Sequence, residues 1–253
     1  MKARESSLPD STGDLSLPAG LGGAVRWTFR LGASALEWDW SDGPPSLREL
    51  SPVRIPASGA RSRHVPVRAF STTTQQHVVL ESGLEHDLLR VLDRDPRTAW
   101  ITTQPCRIEW LDAGRPAARH VPDLLSVDVD GQVTLWDVRP EHAARTVEFV
   151  ALMAATSAAA ADVGLSFSVF SGISDVHRFN LLWLHGYRHR PGWADRWEEQ
   201  LIERASSGAR LGDLVQEDDQ QAALVWHLIW SGRLVVDLSS RLDPTTEVAP
   251  CRA

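Results

Sequence analysis

The chain has 253 residues, 43% of them hydrophobic and 23% charged, the balance of an ordinary globular protein with room for a real core. A net charge of −7 argues against a protein that coats nucleic acid by charge alone, although an acidic metal site would itself add negative charge.

Residues 1–24 carry Ser, Gly, Pro and Leu without a period and are expected to form a flexible arm. Residues 25–31 and 34–40 read as two strands separated by Gly32. Prolines and glycines break any pattern over residues 42–63. Order resumes near His77, and Leu84, Leu88, Leu89 and Leu92 then keep helical spacing. Ser82 is the expected N-cap, with Glu85 three residues on in an S-x-x-E capping box. That helix should stop at Asp95, before Pro96. TAWITTQP and CRIEWLD read as strands, followed by a loop through Gly114 and Pro116.

The stretch from His120 to Pro140 reads as two strands joined at Asp130-Gly131, a pair that tolerates positive φ at both central turn positions. Asp123 stands before the turn. After it, Asp137 and Arg139 alternate with Trp136 and Val138, which sends the two charges to one face. A long helix is expected from Glu141, closed by Gly164, and then a strand over Leu165–Ile173. Residues 25–176 therefore read as a mixed α/β core with helix packed on sheet. Residues 177–253 are helical and aromatic. There the order short helix, turn, longer helix ending at Gly232, β-ribbon is that of a winged helix-turn-helix, and Trp226 and Trp230 should turn the longer helix inward.

Phosphodiester hydrolysis needs a divalent cation held by hard oxygens, an attacking water and a positive group near the developing charge. Asp123 and Asp137 on adjacent strands could share one Mg²⁺, with the backbone carbonyl of Val138 as a further ligand. Arg139 would face the phosphate or the water, and Glu85 would complete the site from the helix. The spacing is that of a PD-(D/E)xK nuclease core with arginine in the place of lysine. Each residue also has a bland reading: P-D opens many strands, D-x-R is commonly a solvated ion pair, and Glu85 closes a capping box. His120 would either touch phosphate or hydrogen-bond the hairpin. His185 and His189 lack the glutamate of H-E-x-x-H, and no P-loop, nucleophile elbow or dinucleotide fingerprint occurs. Cys106 and Cys251 match no zinc or redox spacing, which favours a reducing compartment. No stretch approaches the roughly 18 uninterrupted apolar residues of a membrane span, so a cytoplasmic protein away from the membrane is expected.

Over about residues 65–250 the order of segments resembles the TnsA family of transposon endonucleases. Ser82-Gly83-Leu84-Glu85 is similar to the family's S-x-L-E, which gives the helix glutamate to Glu85 rather than Glu81. Gln104-Pro105 resembles its Q-P strand opening, His120, Pro122 and Asp123 its H-x-P-D, and Asp137-Val138-Arg139 its acid-x-lysine. The resemblance implies a restriction-endonuclease-like mixed sheet flanked by helices, with a winged-helix-like C-terminal region. It further implies Mg²⁺-dependent cleavage of double-stranded DNA at the 5′ transposon ends, with Mn²⁺ as a substitute metal. The implied partners are a TnsB-like transposase and an ATPase regulator. Arg139 is the departure, and Lys2 is the only lysine that could have migrated into the site. One alternative is therefore a catalytically weakened subunit that binds DNA and serves assembly. Another is a defence-type DNA-binding protein on the same core.

Overall fold

The structure, a computed structural model, describes residues 24–54, 66–215 and 218–251. The expected arm, with Lys2, lies outside the described residues except for Ala24.

Strand β1 (Val25–Leu31) turns at Gly32, φ 59°, into β2 (Ser34–Trp38). The second strand ends two residues earlier than expected, because Asp39 caps a short helical turn by accepting the N–H of Ser41. A hairpin that the sequence reading passed over follows, β3 (Val67–Ser71) and β4 (Gln76–Leu80). Helix α1 (Gly83–Arg94) starts at Ser82 and stops at Asp95, as its capping box and Pro96 require. Next come β5 (Thr98–Thr103), β6 (Cys106–Asp112) and β7 (Arg115–His120). The last corrects the expected loop. Ala113 and Gly114 both take positive φ and turn the chain back, and Pro116 is tolerated because β7 is an edge strand.

Strands β8 (Leu124–Asp128) and β9 (Val133–Val138) form the expected hairpin, but with a different turn. The Gly131 N–H donates to the Asp128 carbonyl at 3.0 Å, and of the Asp130-Gly131 pair only Gly131 has positive φ. This is a three-residue loop with glycine in the left-handed position. Helix α2 (Val147–Asp162) begins six residues later than expected, where the Thr146 side chain accepts the Phe149 N–H. It ends as expected: Leu165 N–H reaches Ala160 and Gly164 N–H reaches Ala161, with Gly164 at φ 77°. Then follow β10 (Ser166–Phe170), α3 (Asp175–His185), α4 (Glu198–Ser206), α5 (Leu211–Val215), α6 (Asp219–Trp230) and the short pair β11 (Leu234–Val235) and β12 (Ala249–Pro250).

The fold is mixed α/β. One sheet runs β2-β1-β6-β7, the other β10-β9-β8-β5, with β9 and β10 parallel across α2. Successive residues of β8 and β9 point to opposite faces, so each face finds its own cover. Leu124 and Val138 pack with Leu88, Leu89 and Leu92 of α1. Leu125 and Leu135 pack with Ala159 and Ala160 of α2 and with Trp27, Phe29, Ile108 and Trp110 of the first sheet. A third cluster gathers α3, α4, α5 and α6 around Leu181, Leu201, Leu214 and Leu228, with Val91 of α1 against it. Buried Asp87 of α1 joins the regions by accepting Arg90 at 2.9 Å and Arg178 of α3 at 2.8 Å.

Helix α6 turns inward along most of its length. Trp230 is buried, but Trp226 stays half-exposed against Trp183 and Tyr187. The solvent side of α6 shows Asp219 and Gln220, and the helix contains no lysine or arginine.

Candidate active site

The site is built at the mouth of the β8–β9 hairpin. Leu124 pairs with Trp136 and Leu125 with Leu135; Asp123 just precedes β8 and Asp137 follows Trp136 on β9, so the two carboxyls adjoin at the open end of the hairpin. Asp123 N–H donates to the Trp136 carbonyl at 2.9 Å, and Val138 N–H donates to Asp123 Oδ2 at 2.7 Å. Asp137 is 3% exposed, and its Oδ2 has no hydrogen-bond partner. His120 Nε2, equally unpartnered, lies 3.8 Å from that oxygen. Burial pushes the Asp123 carboxyl up to about 9, helped by the adjoining Asp137 and the charge of Glu85, against the Val138 N–H. At neutral pH Asp123 thus keeps its proton. Burial also lowers the His120 pKa and keeps that ring neutral.

Glu85 comes from the first turn of α1. Its N–H donates to Ser82 Oγ at 3.1 Å, its Oε1 accepts the Ser82 hydroxyl at 2.9 Å, and its Oε2 accepts the Glu81 N–H at 2.8 Å. The Ser82 half of the capping box forms, while the Glu85 carboxylate reaches one residue further back than the box requires, to the Glu81 N–H; Glu85 also lines the same cleft as Asp123 and Asp137. Burial raises its pKa.

Arg139 follows the last residue of β9, its N–H donating to the Phe170 carbonyl at 3.0 Å. The side chain is exposed and lies over the Phe149 ring, 4.9 Å from Cζ to the ring centroid. What is fixed of Val138 is its N–H, held by Asp123.

These residues line a cleft of about 780 Å³. Its walls hold residues that sequence reasoning missed or left aside: Arg54, Glu81, Arg107 and Arg119. Arg54 pairs with Glu81, whose Oε1 also accepts the side-chain amide of Gln104. Gln104 is 3% exposed with φ at 47°, its N–H donates to the Asp123 carbonyl at 2.8 Å, and its Oε1 lacks a partner. Left-handed backbone at a buried glutamine is strain of the kind found beside functional sites. The sequence signal was Gln104-Pro105, noted for its resemblance but given no role. Arg54 was hidden in a stretch broken by prolines.

Among the described residues no group of three or more His, Cys, Asp or Glu side chains is already drawn together as a metal cluster. The donor set at Asp123 and Asp137 nevertheless fits a hard divalent cation. It has a buried carboxylate oxygen with no hydrogen-bond partner, beside a carboxyl whose proton a cation would replace. Elsewhere, His189 stands beyond the end of α3, which stops at His185, so the two histidines do not share a helix face. Asp128 and Asp130 pair with Arg97 at the hairpin tip. No helix among the described residues is long and apolar enough to cross a membrane.

Fold and site together define a mixed α/β protein with a buried acid pair at the floor of an arginine-walled cleft. The chain matches no protein-family model and no curated protein.

Proposed function

We propose that this chain is a metal-dependent DNA endonuclease of the TnsA kind, with a restriction-endonuclease-like core and a winged-helix-like C-terminal region, working in the cytoplasm. One observation carries the reading: the Asp123 and Asp137 carboxyls adjoin at the open end of a hairpin inside a cleft, with Asp137 Oδ2 unsatisfied. Asp123 and Asp137 would hold Mg²⁺ or Mn²⁺, joined by the Val138 carbonyl and by Glu85 once a Glu85 oxygen leaves its cap. The bound cation supplies Lewis-acid charge and a more acidic water. Asp123 gives up its proton as the site fills. Arg139 grips the non-bridging oxygens of the phosphate and offsets the charge that develops there. Arg119 adds a cation on the path of the DNA backbone. By resemblance, the partners are a TnsB-like transposase and an ATPase regulator, and the substrate is double-stranded DNA at the 5′ transposon ends.

The test is cleavage of transposon-end DNA with the transposase present, in Mg²⁺ or Mn²⁺, against Asp123→Ala. Strand cuts that depend on Asp123 are expected. Equal absence of cutting in both proteins under every condition would end the reading.

A weakened subunit that serves DNA binding and assembly is the second reading. It is favoured by Arg139 in the place of lysine and by the commitment of both Glu85 oxygens to the cap. An Arg139→Lys variant that gains cleavage, while wild type only binds, would decide for it. The winged-helix-like region carries the weaker part of the proposal, because α6 offers phosphate no lysine or arginine.

A further inference from the structure

Arginine at 139 raises a physical question that the acid pair does not answer. A lysine works as a compact point charge, whereas a guanidinium is planar and must be aimed. Arg139 lies with its Cζ 4.9 Å from the centroid of the Phe149 ring. That ring is 8% exposed and sits in the first turn of α2, with its backbone fixed by the 3.3 Å bond from the Phe149 N–H to Thr146 Oγ1. The positive end of the helix dipole is here, and it works against holding a cation. The ring's π face works for it. A guanidinium stacked on that ring would use its flat face and leave its five in-plane N–H donors unspent. Two other arginines of the cleft are committed to acids, Arg54 to Glu81 and Arg107 to Glu109 at 3.6 Å. Among the described residues Arg139 has no carboxylate at ion-pair distance, yet it lines the same cleft as Asp123 and Asp137.

We infer that Phe149 is the positioning residue for Arg139, holding the guanidinium flat so that its donor edge can take the two non-bridging oxygens of a phosphodiester. This rests on the nuclease reading for the identity of the anion, while the contact itself is a matter of geometry. It explains how arginine can stand where a nuclease of this type carries lysine, since a lysine would neither need the ring nor use it to choose a direction.

The experiment follows the Arg139 Nε–Hε resonance in the full-length chain, identified by its loss in Arg139→Lys. Dimethyl phosphate, a phosphodiester too inert to be cut, is the probe, and cleft backbone amides report affinity in every variant. The wild-type resonance is expected upfield of its place in Phe149→Leu, and to shift saturably with dimethyl phosphate. Phe149→Leu should weaken that binding about three- to fivefold, and Phe149→Tyr should preserve it. In the Arg139→Lys background, Phe149→Leu should change affinity less than about twofold, because there is no plane left to orient. No saturable wild-type shift, an unchanged affinity in Phe149→Leu, or an equal loss in both backgrounds would overturn the inference.

DNA cleavage in Mn²⁺, measured alongside with the transposase present, separates the two ideas. A chain that binds phosphodiester through Arg139 and Phe149 but never cuts keeps the inference and loses the nuclease reading. A chain that cuts in an Asp123-dependent way without any dependence on Phe149 loses the inference alone.

Discussion

The Val138 N–H donates to Asp123 Oδ2 at 2.7 Å, and through that bond Asp123 is tied to the neighbouring strand one residue past Asp137. That bond holds the Asp123 carboxyl beside Asp137. The arrangement leaves Asp137 Oδ2 buried without a partner and keeps a proton on Asp123. Nothing in the packing of β8 on β9 needs two acids there. A buried carboxylate oxygen without a partner costs stability, which fits the role proposed for the pair.

Asp137→Asn tests that cost. Removing the adjoining charge should bring the Asp123 pKa down, though still above the ordinary carboxylate value, because burial remains. Stability at neutral pH should hold or rise by up to about 1 kcal/mol. Carboxyl-carbon titration and thermal melting read the two effects. A clear loss of stability would mean that Asp137 is a structural residue.

Cation affinity should depend on pH with a known sign. Asp123 is protonated below about 9, and a metal ligand must be deprotonated, so each ion bound releases a proton. Mn²⁺ affinity should rise nearly tenfold per pH unit between about pH 6 and 8 and level off above about 9. Calorimetry in buffers of different ionisation enthalpy counts the protons. A pH-independent affinity would place the ion elsewhere.

Asp87→Ala should loosen the seam between the sheet region and the C-terminal helices. Asp87 is buried and receives Arg90 and Arg178, so its removal strands a buried guanidinium. A loss of about 3 kcal/mol in denaturant unfolding is expected. A loss below about 1 kcal/mol would show that the pair is solvated.

The same seam should be acid-sensitive. His185 lies between His86 of α1 and Trp230 of α6. Burial, with the charges of Arg188, Arg90, His86 and His189, pushes it down to about 4. An unfolded histidine titrates near about 6.5, so between those values the unfolded chain binds the extra proton. The contribution is complete above about 6.5 and is lost as pH falls through about 4. His185→Gln should flatten the fall of melting temperature over that window. An unchanged slope would assign the effect to His86, His177 or His227, whose pKa values are lowered too.

The parts of the fold that were legible in the sequence are those set by local chemistry. Ser82, Glu85 and Pro96 bound α1, Gly164 ends α2, and alternation along residues 133–138 marks β9. What escaped depends on partners distant in the chain. Pro116 spoke against a strand, and only its edge position beside β6 makes β7 possible. The start of α2 turned on whether Thr146 or an earlier residue captured the first free N–H groups. At the site, Asp123, Asp137 and Arg139 were visible as spacing. The left-handed Gln104 and the pairing of Arg54 with Glu81 were not, since both arise from segments brought together only by the folded sheets.

The most direct test of the account is anomalous scattering from crystals soaked in Mn²⁺. The acid pair as described predicts one peak within coordination distance, about 2.2 Å, of carboxylate oxygens from both Asp123 and Asp137, absent from Asp137→Asn crystals. No peak at the pair in saturating Mn²⁺ would contradict it.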